Sequence, residues 1–85
     1  MTTAIADEAP SAPVVTDYDK AHLRLYLRLL DADAERAAWE EVASRLLEID
    51  PNVEPDRAKR RHDSHLARAR WMTDRGYLDL LRKGP

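Results

Sequence analysis

Apolar residues recur at helical spacing along most of this chain. Leu23, Tyr26, Leu27 and Leu30 stand at i, i+3, i+4 and i+7, the spacing of one helix face. His22, Leu25 and Leu29 form a second, adjacent face, so the polar stripe narrows to Lys20, Arg24, Arg28 and Asp31. A helix apolar around so much of its girth is central to a core or covers a partner. The pattern predicts this helix over residues 17–30, with Thr16, Asp17 and Asp19 as N-cap candidates and first-turn negative charge. A second helix is predicted over residues 33–48 behind Asp33 as N-cap. Its inner stripe is Ala38, Trp39, Val42, Ala43, Leu46 and Leu47, and Trp39 and Leu46 are expected as core anchors. Glu41 precedes Arg45 by four, a favourable pair.

Pro51 disfavours helical geometry at Asp50, so residues 49–54 read as a turn anchored by Ile49 and Val53. Pro55 then opens a third, long helix over residues 55–74, which Gly76 stops. Ala58, His62, His65, Leu66, Ala69 and Met72 project to one side of it. Arg57, Arg61, Ser64, Arg68 and Arg75 project to the other, with Trp71 at the edge. Residues 77–81 predict a short fourth helix or turn, in which Leu78 and Leu81 close the core. Residues 1–16 show no period and carry two prolines and two acids, so a flexible tail is expected there. The folded domain is expected over residues 17–83.

Composition supports an all-α fold of three main helices plus a short C-terminal one. The chain has 85 residues, no Phe and few β-branched residues, and its Ala, Leu, Arg and Glu favour helix. That length allows one domain. The absence of Cys excludes disulfides and thiolate metal sites. No run reaches the roughly 20 apolar residues of a membrane span, and the acidic N-terminus does not read as a signal peptide. A cytoplasmic protein is expected.

Charge changes the picture more. The net charge is −2, but residues 1–54 hold 5 basic and 12 acidic side chains, and residues 55–85 hold 9 basic and 4 acidic. The front half is therefore strongly acidic and the third helix basic. An acidic total argues against strong nonspecific DNA binding.

Catalytic and metal chemistry find no support. His62 and His65 stand three apart, but neither His-Glu-x-x-His nor Glu-x-x-His accompanies them, so packing is the better reading. Asp31, Asp33 and Glu35 alternate like the start of a calcium loop, yet Arg36 and Val42 occupy the positions that need Gly and Glu. Ser44, Ser64 and Thr73 lack a glycine elbow. No enzyme, cofactor or metal is expected.

Two binding readings remain. The order of elements, with Trp39-x-x-Val-Ala-x-x-Leu before a turn and a basic helix, reads like a helix-turn-helix whose turn is longer than usual. Arg57, Arg61 and Arg68 share the face that phosphate or base contacts would need. In a plain bundle the same stripe is only solvated. The surplus of apolar side chains suggests a protein partner instead, with His22, Leu25, Leu29 and Trp71 as candidate contacts.

Several stretches carry a resemblance. Tyr18-Asp-x-Ala-His-Leu, Leu27-x-Leu-Leu-Asp-Ala-Asp-Ala, Trp39-x-x-Val-Ala and His65-Leu-Ala-Arg-Ala-x-Trp-Met-Thr before Gly76-Tyr77 resemble a proteobacterial family long catalogued as a domain of unknown function. The likeness spans residues 17–82. It implies an extended-turn helix-turn-helix and two roles. Attached to another domain of a transcriptional activator, such a domain binds DNA through a positive face. Alone, it resembles an antiactivator from rhizobial integrative and conjugative elements, which occupies the activator's companion domain and represses transfer. A quorum-sensing regulator is a further partner the resemblance implies. The negative charge and the lack of a companion domain here favour an antiactivator acting as a monomer by protein contact. DNA binding through Arg57, Arg61 and Arg68 stays the alternative.

Overall fold

The computed structural model describes residues 4–76. The elements are α1 (Asp17–Ala21), α2 (Leu23–Ala34), α3 (Trp39–Leu46) and α4 (Pro55–Trp71), followed by a π-helical turn, Met72–Gly76. No strand occurs among the described residues, so the fold is all-α. The expected fourth helix, with Leu78 and Leu81, lies outside the described residues. α4 packs on both α2 and α3 and is the central element. A long turn separates α3 from α4, an order compatible with an extended helix-turn-helix.

The first predicted helix is divided at His22. Its backbone leaves the helical region (φ −116°, ψ 20°). Its Nδ1–H donates to the Tyr18 carbonyl at 2.8 Å, and a side chain bonded to the i−4 carbonyl bends a helix. The second predicted helix is shortened from its front. Asp33 stays inside α2 instead of capping α3, and Arg36, at φ 60°, ends α2 in the left-handed region. Glu48, at φ 55°, ends α3 the same way. These two positions do what glycine usually does at a helix C-terminus.

The core lies where α2, α3 and α4 meet. Leu29 and Leu47 are its largest fully buried apolar side chains, and Tyr26, Val42, Leu66 and Met72 pack around them. Ala43, Ala58 and Ala69 are completely buried, and their small side chains let the helices approach closely. Trp39 and Leu46, the expected anchors of the second helix, are only partly buried at its margin. Leu47, at the C-cap of α3, takes the central place. Ile49 anchors the long turn, whereas Val53 is 73% exposed.

A buried polar network ties the first helix to α4. Asp19 is wholly buried yet accepts five hydrogen bonds. Its Oδ2 takes the Thr16 N–H at 2.8 Å and the Thr16 hydroxyl at 3.1 Å, the capping box of α1. The Tyr26 hydroxyl donates to Oδ1 at 2.8 Å. The Arg68 guanidinium donates to both oxygens, Nε at 2.9 Å and Nη2 at 2.6 Å. Burial alone would raise the Asp19 pKa, but these donors outweigh it and hold the carboxyl at about 2. Burial and the Asp19 contact push the Tyr26 phenol well above its ordinary range, so it stays a donor.

A second relay runs beside it. His65 is fully buried, and its Nδ1–H donates to the Arg61 carbonyl at 2.7 Å. Its Nε2 is then an acceptor, and the Tyr18 hydroxyl donates to it at 2.6 Å. The Ala6 N–H in turn donates to the Tyr18 oxygen at 3.1 Å. Burial pushes the His65 pKa down, which keeps the ring neutral.

Two outcomes follow from this packing. Leu47→Ala should cost about 2–5 kcal/mol in urea unfolding, and Leu46→Ala distinctly less. Stability should also fall with acid in two steps. An unfolded histidine takes a proton near about pH 6.5, which folded His65 resists, so the first loss begins below that pH. Asp19 is depressed to about 2 against an unfolded value of about 3.9. Its contribution of about 2–3 kcal/mol is complete above about pH 4 and disappears as the pH falls toward 2. His65→Gln should remove the first step and Asp19→Asn most of the second.

Candidate nucleic-acid interface

α4 presents the basic stripe that the sequence projects, but most of it is already engaged. Arg68 is 3% exposed. Besides Asp19 it donates to the Ala12 carbonyl at 2.8 Å and the Val14 carbonyl at 2.9 Å, and the Trp71 ring lies 3.8 Å from its guanidinium carbon. Arg61 is 7% exposed and donates to the Leu47 carbonyl at 2.8 Å and to Asp7 at 2.7 Å. These two arginines are internal clamps and offer no free face to DNA. Arg57 is half-exposed but shared by Asp7 and Glu54, both at 2.8 Å. The outer cations of α4 are paired too: Lys59 with Asp63, Arg60 with Glu8 and Arg70 with Asp33.

The partner of this stripe is the segment expected to be a flexible tail. Residues 5–16 run along α4 without regular secondary structure. Asp7 reaches Arg57 and Arg61, the Ala9 N–H donates to the Ser64 hydroxyl at 3.1 Å, and Ala12 and Val14 receive Arg68. The two guanidinium bonds, from Arg61 and then Arg57, hold the Asp7 carboxyl below its ordinary pKa. The acidic front of the sequence thus folds onto its basic rear.

The candidate protein contacts divide. His22 is 5% exposed and Leu29 1%, so both belong to the interior and cannot anchor a partner. Leu25 is partly buried against the core, and Trp71 is partly buried over Arg68. The exposed apolar surface lies instead on the other face of α2. Leu23 and Leu27 are 40% and 64% exposed. With Leu30, Met72 and Thr73 they line an open apolar groove of about 460 Å³ between α2 and the end of α4.

The free positive charge lies on α1 and α2. Lys20, Arg24 and Arg28 are exposed and make no ion pair or side-chain hydrogen bond among the described residues. Arg24 and Arg28, one turn apart, share a face of α2, and Lys20 stands on α1 across the break at His22, so the row is interrupted there. Arg24 and Arg28 line a cleft of about 260 Å³ whose opposite wall is Leu46, Glu48 and Arg45 of the α3 end. Arg45 already pairs with Glu41 at 3.2 Å. His22 also lines this cleft, and its Nε2 is buried without a partner. The cleft is smaller than the roughly 300–1,000 Å³ of small-molecule sites, so it suits one charged group of a larger ligand.

The sequence contains the signal for this row. Arg24 has no acid at i±3 or i±4, and Arg28 has only Asp31, whereas most cations of α4 have an acid at such spacing. No group of three or more potential metal ligands occurs among the described residues. No helix of the described residues is long and apolar enough to cross a membrane.

No curated protein matches this sequence significantly. A family model for the RovC DNA-binding domain, described as "T6SS, Transcription factor, DNA binding domain", matches residues 1–82. The match takes in all four helices and the N-terminal segment seated on α4, which the sequence reading set apart from the domain. The chain therefore belongs to the RovC-type family of transcription-factor DNA-binding domains.

Proposed function

We propose that this domain is the DNA-binding part of a transcription regulator and that Lys20, Arg24 and Arg28 make its phosphate contacts. The observation that carries the reading is the set of three unpaired cations on α1 and α2, whereas every Lys and Arg of α4 holds an acid among the described residues. Family membership supplies the ligand class. Phosphate contacts dominate DNA affinity, and only cations not already holding an acid release counterions on binding. The net charge of −2 does not oppose this, because Asp17, Asp31 and Glu48, acids that share these helices or the cleft, make no ion pair with the three cations. Asp7, Glu8 and Asp19 are spent on α4, and Glu40 and Glu41 open α3.

An antiactivator of the QseM-like kind is the second reading. The exposed Leu23 and Leu27 favour it, because an apolar groove of this size suits a protein surface better than a duplex. The contact set for it is Leu23, Leu27 and Leu30, replacing His22 and Leu29. In this reading the domain docks on the companion domain of an activator.

Duplex binding by fluorescence anisotropy at several salt concentrations separates the two. The DNA reading predicts a complex at low salt. Arg24→Gln with Arg28→Gln should weaken it at least tenfold and lower the salt slope by about 2, close to 0.9 per lost phosphate contact. Leu27→Glu should leave it intact. Arg61→Gln should lower the melting temperature instead. Absence of any complex at low salt with sheared genomic duplex overturns the DNA reading and leaves the protein-contact one.

A further inference from the structure

The segment over α4 is attached unevenly along its length. Residues 12–16 are fixed by the buried Arg68 and the Asp19 capping box. Ile5 packs on the core and the Ala6 N–H donates to Tyr18. Between these anchors residues 7–9 are held mainly by charge, Asp7 by the buried Arg61 and the exposed Arg57, and Glu8 by the exposed Arg60. The Asp7 and Arg57 side chains are 44% and 47% exposed, and those of Glu8 and Arg60 are 69% and 60%. The Arg60–Glu8 pair is long, at 3.8 Å. Exposed pairs of this kind contribute little and are screened by salt. An open cleft of about 390 Å³ is lined by residues 8–11 together with Ser64, Ala67, Arg68 and Trp71. Pro10 and Pro13 keep the segment from adding a turn of helix that would bind it more firmly.

What residues 7–9 cover is a single helix face. Arg57, Arg60, Arg61 and Ser64 stand at i, i+3, i+4 and i+7 of α4. The Asp7 carboxylate sits between two guanidiniums, at 2.8 Å and 2.7 Å, as a phosphate oxygen would. Ser64 adds a hydroxyl that receives a backbone N–H. We propose that α4 carries a second phosphate-binding face, covered by residues 7–9, whose Asp7 and Glu8 stand in for a phosphodiester backbone. Nucleic acid competes with this segment. Release frees Arg60 and leaves Arg57 only its exposed pair with Glu54, while Arg61 keeps its bond to the Leu47 carbonyl and Arg68 stays on Asp19. The closed and open forms therefore share one folded core. This inference rests on the DNA-binding reading for the identity of the competing ligand, but the opening itself does not.

The test uses the full chain and three charge backgrounds. Asp7→Asn with Glu8→Gln removes the cover's charge. Glu35→Gln with Glu40→Gln removes the same charge from exposed sites away from α4 that are unpaired among the described residues. Each is also made with Arg57→Gln and Arg60→Gln. Duplex affinity should rise at least fivefold in the first pair, rise by a smaller factor in the control pair, and lose the extra gain without Arg57 and Arg60. Equal gains from both pairs, or a gain that survives loss of both arginines, overturn the proposal. A second readout needs no DNA. Inorganic pyrophosphate titrated into the wild type should shift the Ala9 amide resonance in a saturable way that requires Arg57 and Arg60. If pyrophosphate shifts Ala9 while no variant binds duplex, the covered face stands and the DNA reading falls. If Ala9 does not respond, the covered face is wrong, whatever DNA does.

Discussion

The Asp19–Arg68 pair is the contact on which the rest of this domain depends. One carboxylate caps α1, receives the Tyr26 phenol from α2 and binds the guanidinium of α4. The same guanidinium holds two carbonyls of the N-terminal segment and lies against Trp71. Four separate pieces of chain thus meet at one buried ion pair. Such a pair is retained at a desolvation cost, and it tolerates the loss of neither partner. Its geometry also fixes the rotation of α4. With Arg68 turned inward, Arg61, two turns earlier on the same face, is turned inward too, and His65 between them meets Tyr18.

This constraint decides where charge is left for a ligand. A domain with an acidic front half and a basic rear half can leave both exposed or fold one onto the other. Here the two are folded together, and α4 spends its arginines on internal acids and carbonyls. Exposed cations without an acid partner among the described residues remain on α1 and α2, at Lys20, Arg24 and Arg28. The helix in the recognition position is then a scaffold in the closed form. Its outer cations become available only where a surface ion pair gives way.

Much of the fold could be read from periodicity. The order of three main helices, the Thr16 cap, the break at Pro51 and the opening of α4 at Pro55 follow from residue types at fixed offsets. The kink at His22 could not be read that way, because it arises from a side chain bonding its own i−4 carbonyl. The site was far less legible. Projection correctly gathers Arg57, Arg61 and Arg68 on one face but assigns that face to solvent, since nothing apolar lies there. The covering segment has no period, and it holds Arg68 through the backbone carbonyls of Ala12 and Val14, groups that every sequence supplies. Conversely, His22 and Leu29 look like surplus apolar surface on a short helix, yet α2 and its neighbours bury them completely enough to exclude a partner. The row of Lys20, Arg24 and Arg28 was visible as a polar stripe. Its importance emerged only once the other cations were seen to be paired.

The claim that these arginines serve the fold before any ligand is tested most directly by a double-mutant cycle on Asp19→Asn and Arg68→Gln, followed by urea unfolding at neutral pH. The account predicts that each single change is severely destabilising and that the double mutant is little worse than either. That corresponds to a coupling of at least about 2 kcal/mol, in the upper range for contacting residues. A coupling below about 0.5 kcal/mol, the level of independent sites, would contradict it and return Arg68 to the surface as a candidate DNA contact.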